Sequence, residues 1–495
     1  MTNNKNRKIV TRFAPSPTGL MHVGGVRTAL YSWLWARRNN GTFILRIEDT
    51  DKEREVSGSI DHIMESLKWL GIDWDEGPKE EGPHAPYIQS ERLHIYRQYA
   101  QILIDKGCAY PDPYTQEELD AFRAKADEEK RPFLYREHRT ENPGTWDGHT
   151  PLRFKVPTIK RFEWHDMVYG DLSAGEEALD DFILIKGDGY PTYNFAHIVD
   201  DIEMGVTHVM RGQEFISSTP KFLSVYEALD VVPPVYATLP PIMGPDGKKK
   251  LSKRDEAADL FLYKDKGYLP NAVVNFLAFL GWNPGDEREI LSVSEIITAF
   301  DIERIQKSPA GLNEERLKWT NREHLKLLSF EEQEEYIAHY LSDELKSHAG
   351  YTSEHLHNIT PILMERITCG DDIKHMETEG ELGYFFDMPT YINESLFGKT
   401  SKLTGEDRYA ILAGYLEHAL TLIKTITNTA WNKETLKADL WPYAEIVGRG
   451  ELLYPIRFSL SGKEKSPDPF TLAEVLGKEE TIKRIENAIH ILKKS

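Results

Sequence analysis

The chain has 495 residues, of which 40% are hydrophobic and 28% charged, with 80 acidic against 60 basic side chains and a net charge of −20. That is globular composition, long enough for about three domains and for a core that needs no disulfide or metal staple. Two cysteines, Cys108 and Cys369, exclude a disulfide framework and any Cys-x-x-Cys metal site. The polar, basic start has no apolar stretch behind it, and no run reaches the roughly 18 apolar residues of a membrane span, so a cytoplasmic protein with no membrane partner is expected. The acidic balance lowers the expectation of a nucleic-acid partner without excluding one, because phosphate affinity follows local clusters of cations and not the total.

In chain order, KIVTRFA (8–14) reads as a strand, and PSPTGLMHVGG (15–25) as a shaped loop dense in Pro and Gly. Helical spacing follows over 26–39, and Gly41 is placed to stop that helix. FILRIED (43–49) is a second strand, and 59–70 a second helix ended by Gly71. Strand–helix–strand–helix order opens an α/β domain with a parallel sheet. From about 77 to 190, helices (91–106, 116–129) alternate with short strands and Pro-rich turns, the character of an insertion. DFILIK (181–186), DGYPTYNFAHIVDD (188–201) and VTHVMRG (206–212) resume the α/β pattern, and a basic loop, GPDGKKKLSKRDE (244–256), follows. Beyond about 263 nearly everything is helical in pattern, with a boundary near 325.

Two segments carry chemistry. RFAPSPTG followed by HVGG (12–25) lies at a strand-to-helix junction, where backbone N–H groups and the helix dipole attract phosphate; two prolines stiffen it, and Gly24 and Gly25 let a nucleotide approach. KKKLSKR (248–254) places five cations in seven residues after Gly247, a loop suited to anions. Each has a plain alternative, a tight turn with a surface histidine and a solvated charged loop. The triplet Gly398, Lys399, Thr400 lacks the earlier glycine of a P-loop, position 393 being Asn, and reads as an ordinary loop.

In order and spacing these two segments resemble the HIGH-type and KMSKS-type motifs of class I aminoacyl-tRNA synthetases. RFAPSPTG, RIEDTD (46–51), LKWLGIDWDEGP (67–78), YIQSERLHIY (87–96), DGYPTYNFAHIVDD and GVTHVMRGQEFISSTP (205–220) narrow the resemblance to bacterial-type glutamate–tRNA ligases, densely over about 8–325 and diffusely beyond. The resemblance implies a Rossmann-like parallel-sheet α/β catalytic domain (1–80 and 188–255) split by an acceptor-binding α/β insertion (81–187). A helical stem-contact region (256–325) and an all-α anticodon-binding region (326–495) would follow. It implies ATP-dependent attachment of L-glutamate to tRNA through a glutamyl-adenylate, with ATP as substrate, Mg²⁺ accompanying it, and tRNA as partner of a monomeric enzyme. Alternatives are a ligase that also glutamylates glutamine tRNA, or a glutamine–tRNA ligase. A short base-modifying relative, a plain nucleotidylyltransferase and a non-enzymatic tRNA-binding module fit the length and the intact motifs less well.

The same resemblance assigns residues. His22, Gly24, Lys250 and Lys253 would be catalytic; Ser16, His22, Gly24, Gly25, Glu214 and Lys253 would hold ATP. For glutamate, Arg12 would pair with the side-chain carboxylate, Glu48 with the ammonium and Arg211 with the α-carboxylate, while Ala14, Tyr193 and His197 complete the pocket. No metal ligand is expected. Some relatives place a cysteine zinc site in the insertion, and with only Cys108 there no zinc is expected. Arg449, Arg457 and Lys463 are candidates for reading the anticodon.

Overall fold

The computed structural model describes residues 7–80, 82–244, 246–247, 249–251, 259–348 and 350–494. They form two compact units, 1–320 and 321–495. The division falls after Thr320, five residues before the expected boundary and inside a continuous helix.

The first unit is organised by a six-stranded sheet. Its elements in chain order begin with β1 (Val10–Phe13), α1 (Val23–Arg38), β2 (Thr42–Leu45), α2 (Ser59–Trp69), α3 (Leu93–Asp105), β3 (Ala109–Pro111), α4 (Gln116–Glu128) and β4 (Leu152–Phe154). They continue through β5 (Phe162–Asp166), β6 (Gly170–Ala174), β7 (Phe182–Ile185), α5 (Tyr193–Glu203), β8 (His208–Gly212), α6 (Thr219–Ala228) and β9 (Val235–Leu239). The unit closes with β10 (Ile242–Met243), α7 (Leu260–Asp265), α8 (Pro270–Ala278), α9 (Val293–Ala299), β11 (Ala310–Gly311) and the first part of α10 (Glu314–Lys326).

The sheet order is β2-β1-β8-β9-β5-β6. Neighbours run parallel from β2 through β5, and only β6 is antiparallel. The chain leaves β1 in one direction, to β2, and later returns on its other side, to β8. The carboxyl ends of β1 and β8 therefore flank the point where strand order reverses, which is where open α/β sheets form a ligand crevice.

The insertion departs from the sequence reading in two ways. DFILIK does not rejoin the main sheet: β7 pairs antiparallel with β4 in a separate three-stranded sheet, β3-β4-β7. The β5–β6 hairpin, which falls inside 81–187, instead extends the main sheet through β9. Strand pattern marked DFILIK, and the hairpin fell among unspecified short strands; which sheet each joins depends on partners distant in sequence, which leave no local trace. The small sheet shares one apolar core with α3, α5 and α6 through Tyr96, Phe154, Leu184, Phe195, Phe222 and Tyr226.

The second unit is helical. The end of α10 is followed by α11 (Phe330–Tyr340), α12 (Asp343–Lys346), α13 (Ser353–Arg366), α14 (Gly370–Thr378), α15 (Arg408–Thr425), α16 (Lys433–Val447), α17 (Arg449–Ser461) and α18 (Pro469–Lys493). The last is interrupted at Gly477, whose backbone is not helical. Arg484 staples this unit from inside, its guanidinium donating to the Tyr384 and Leu460 carbonyls. Of the cysteines, Cys108 is half-buried and Cys369 buried, and burial pushes both thiols up. No helix among the described residues is long and apolar enough to cross a membrane.

Gly41 has a different role from the one expected. The α1 helix ends at Arg38, and Asn40, at φ 50°, takes the left-handed turn. Gly41 is glycine because β1 and β2 close over it: a Cβ there would lie 2.4 Å from the Ile9 carbonyl oxygen. Gly41→Ala is expected to destabilise the first unit by about 1–3 kcal/mol, the usual cost of overpacking, which a fall in the urea midpoint at unchanged slope would show.

Candidate active site

A cavity of about 550 Å³ opens at the carboxyl ends of β1 and β8. The loop after β1, the start of α1, and segments following β2, β8 and β9 line it. Of the expected residues, Arg12, Ala14, Ser16, His22, Gly24, Gly25, Glu48, Tyr193, Arg211, Glu214 and Lys250 all face it.

The loop after β1 is held by a continuation of the β2 ladder. The Arg46 N–H donates to the Phe13 carbonyl (3.0 Å) and the Glu48 N–H to that of Pro15 (2.9 Å). His22 then caps α1. Its Nδ1 accepts from the N–H groups of Gly24 (3.1 Å) and Gly25 (3.3 Å), so the neutral ring carries its proton on Nε2. A Cβ at position 24 would press on the His22 ring at 3.0–3.1 Å, whereas at position 25 it would meet only ordinary contacts, the nearest at 3.6 Å. The cap therefore favours glycine at 24, since a Cβ there would crowd the capping ring.

Arg12 leaves β1 into the cavity wall. Its Nε donates to Asp201 (3.2 Å) and its Nη1 reaches the Met210 carbonyl (3.5 Å). Asp201 also accepts from Arg46 Nη1 (2.8 Å), and Arg46 Nη2 donates to Glu48 (3.0 Å). Next along α5, Asp200 accepts from Arg92 Nε (2.7 Å), Gln89 Nε2 (2.8 Å) and the Tyr96 hydroxyl (2.9 Å). Arg12, Arg46, Glu48, Arg92, Asp200 and Asp201 are each 6% exposed or less. Burial works to raise the Asp201 carboxyl, but Arg12 and Arg46 outweigh it and its pKa lies below the ordinary value. At Glu48 burial wins over Arg46 and Arg12, and the pKa is raised. The roles of Arg46, Asp200 and Asp201 were not read from sequence; charged pairs inside RIEDTD and IVDD, too apolar in setting to be solvated, were the available signal.

Across from Arg12, Arg211 at the end of β8 donates from Nη2 to Thr219 (2.8 Å) and lies over the Tyr236 ring, 4.4 Å from its centroid. Its Nη1 is buried and has no hydrogen-bond partner among the described residues, an unspent donor beside the cavity. Tyr193 stacks on His197 (4.6 Å between centroids), and burial raises its hydroxyl pKa. His197 does not line the cavity. One turn along α5, it is buried behind Tyr193 and bonds through Nδ1 to the Tyr193 carbonyl (2.6 Å), so it supports the aromatic wall from behind.

Lys250 pairs with Met243 in an isolated antiparallel bridge, and its ammonium lies 3.7 Å from the exposed Glu214 carboxylate. Lys253, Lys248 and Arg254 lie outside the described residues.

Two buried guanidiniums, a buried carboxylate and a histidine-capped helix start thus line one cavity at the carboxyl ends of the parallel strands. The family model for tRNA synthetases class I (E and Q), catalytic domain, matches residues 8–319, and that for an anticodon binding domain matches 332–489. A glutamate–tRNA ligase of Clostridium botulinum is 42% identical over 504 aligned residues, covering 100% of this chain and 99% of the relative. One of Clostridium kluyveri is 42% identical over 98% of both. Among solved structures, a glutamate tRNA ligase from Elizabethkingia meningosepticum in complex with its amino acid aligns at TM-score 0.84 and 36% identity, covering 98% of this chain and 100% of that one. The glutamate–tRNA synthetase of Elizabethkingia anophelis aligns at 0.81 and 36% over the same shares. The chain belongs to the class I tRNA synthetases of the E and Q type and, within them, to the glutamate–tRNA ligase family.

Burial pushes the His197 pKa from 6.5 down to about 3, with Asp201 opposing. The folded chain thus holds this ring neutral where the unfolded chain protonates it, so stability is full above pH 6.5 and drains away as pH falls toward 3. The slope for one such group is about 1.4 kcal/mol per pH unit. Urea titrations at pH 7 and pH 5 should show a smaller loss for His197→Gln than for the parent chain.

Proposed function

We propose that the chain activates L-glutamate with ATP and passes it to the 3′ end of tRNA, acting as a monomer in the cytoplasm. The observation that supports this reading is the placement of Arg12 and Arg211 on adjacent strands, with Glu48 beyond β2 and the capped start of α1 lining the same cavity. Glutamate has two carboxylates and one ammonium, and among the charged groups lining the cavity Arg12, Arg211 and Glu48 match them. Arg12 takes the side-chain carboxylate, Arg211 Nη1 the α-carboxylate and Glu48 the ammonium, with Ala14 and Tyr193 as walls.

The phosphates of ATP lie against His22 and the N-terminus of α1, where helix dipole and backbone donors favour anions; Ser16, Gly24, Gly25 and Glu214 border the nucleotide. Among the described residues no group of three His, Cys, Asp or Glu is placed to hold a metal, and the carboxylates on the cavity wall are Glu48 and Glu214. Mg²⁺ would accompany ATP on its phosphates, with Glu48 and Glu214 the nearest protein carboxylates, and would supply charge neutralisation there.

The glutamate α-carboxylate attacks the α-phosphorus and pyrophosphate leaves; the terminal ribose hydroxyl of tRNA then attacks the adenylate carbonyl and AMP leaves. Neither step needs a protein nucleophile. The work is positioning and charge stabilisation, with His22 Nε2–H on the phosphates and Lys250 and Lys253 meeting charge that builds on pyrophosphate. The exposed Lys250–Glu214 pair is weak, so Lys250 exchanges it readily for phosphate.

The second unit offers a place for a splayed base. A cavity of about 870 Å³ is lined by Phe330, His357, Arg366, Lys433, Arg457 and Lys465, groups that can stack on and bond single-stranded RNA, together with the carboxylates of Glu365, Glu464, Asp468 and Glu474. Of the three anticodon candidates only Arg457 lies there, donating to the Glu464 carbonyl (2.8 Å); Arg449 instead pairs with Glu445 and covers Trp441, and Lys463 is outside the lining.

The deciding assay is charging of glutamate tRNA with labelled glutamate or glutamine in the presence of ATP and Mg²⁺. Glutamate is incorporated, and Arg12→Lys lowers kcat/KM for glutamate by about tenfold or more, one charge-assisted hydrogen bond's worth; incorporation of glutamine in its place overturns the reading. For the second unit, Arg457→Ala and Lys465→Ala should each raise KM for tRNA by roughly 3- to 30-fold with KM for ATP unchanged, the range of one lost stacking or phosphate contact.

A further inference from the structure

The geometry points to Asp201 as the positioning residue for glutamate selection: it aims Arg12 at the cavity while sharing its carboxylate with Arg46. This deepens the reading of Arg12 as the side-chain clamp and rests on it.

A guanidinium on a strand end has several rotamers, and one that swings loses its bidentate geometry toward a carboxylate. Here the Nε edge of Arg12 is spent on Asp201 Oδ1 at 3.2 Å, and Nη1 leans on the Met210 carbonyl at 3.5 Å. Nη2 makes no hydrogen bond among the described residues. The inner edge of the fork is thereby fixed by protein and the outer end is left for ligand.

Asp201 is itself held. Arg46 Nη1 donates to the same Oδ1 at 2.8 Å, and Arg46, fully buried, is pinned on its other end by Glu48 at 3.0 Å. The helix turn carrying Asp201 is anchored by its neighbour Asp200, which takes three donors from Gln89, Arg92 and Tyr96. Asp201 therefore stands between the group for the glutamate side chain and, through Arg46, the group for its ammonium. A single carboxylate sets the separation of the two ends that distinguish glutamate from smaller or uncharged amino acids.

The test is a double-mutant cycle in the full-length enzyme with Asp201→Asn and Arg12→Gln, each assayed for KM of glutamate, KM of ATP, tRNA affinity and the preference for glutamate over glutamine. Asp201→Asn should raise KM for glutamate about tenfold or more and erode the preference over glutamine, with KM of ATP and tRNA affinity within about twofold of the parent. In the Arg12→Gln background the same substitution should add less than about twofold, because its effect passes through Arg12. Additive losses, or a general loss in all four readouts, would make Asp201 a structural counter-charge and overturn the inference. A normal glutamate KM in Arg12→Gln brings down the pocket assignment itself; a raised KM there with a normal one in Asp201→Asn brings down only the role of Asp201. Should Asp201→Asn fail to fold by circular dichroism, Asp201→Glu keeps the charge and displaces it by one methylene. A raised glutamate KM in that variant supports the inference, and an unchanged KM, or failure of this variant to fold as well, overturns it.

Discussion

The first unit depends on a buried set of charges that balances to zero. Arg12, Arg46 and Arg92 face Glu48, Asp200 and Asp201 with almost no exposure. Taking such groups out of water is costly, and removing one member of a buried pair typically costs about 3–5 kcal/mol because its partner is stranded. The cluster is therefore weak evidence for stability and strong evidence for constraint. Its members come from β1, from the strand extension after β2, from the start of α3 and from the end of α5, so four elements are registered against one another by charge geometry. The positions of Arg12 and Glu48 in the cavity follow from that registration.

The opposite wall is built on different terms. Lys250 and Glu214 are more than half exposed and 3.7 Å apart. Such a pair contributes about 0–1 kcal/mol and is screened by salt. A site that must recognise an amino acid and then release pyrophosphate benefits from this asymmetry. In the proposed reading, recognition rests on buried, mutually bonded groups, and the phosphate side on an exposed ion pair that exchanges at little cost. Arg211 lies between the two regimes: Thr219 and three aromatic rings hold its guanidinium, and one nitrogen is left without a protein partner.

Much of this was legible in the sequence because it is local. The loop after β1, the histidine at the helix start and the strand-end arginine and glutamate are set by short-range rules of turns, caps and strand pattern, and the structure brings them to one cavity. What was hidden is what joins distant segments. Arg12 and Asp201 are 189 residues apart, Arg46 and Asp201 155. DFILIK reads as a strand equally well in either sheet, and its partner is decided by the core that Phe182, Leu184 and Ile185 share with Phe154. Gly41 carried the mark of a helix stop, yet Asn40 makes the turn and the glycine answers to Ile9 on the neighbouring strand. His197 was placed in the pocket by the resemblance, one helical turn beyond Tyr193. That spacing puts it behind the tyrosine, where stacking and a bond to the Tyr193 carbonyl turn it away from the cavity.

The insertion interrupts the catalytic fold in sequence but not in packing. Its small sheet and α3 share a core with α5 and α6, and Tyr193 and Phe215, which face the cavity, pack against that same core. Arg92, at the entry to α3, is bonded to Asp200, the neighbour of Asp201. The segment expected to grip the tRNA acceptor end thus meets the floor of the amino-acid pocket through an apolar core and a charge-assisted hydrogen bond, with no linker between them. Close-packed interiors transmit displacement instead of absorbing it. Arg92 at the head of α3 and Arg12 in β1 are bonded to consecutive carboxylates of α5, Asp200 and Asp201. The fold thus joins the insertion to the residues around Arg12 through one continuous set of buried groups.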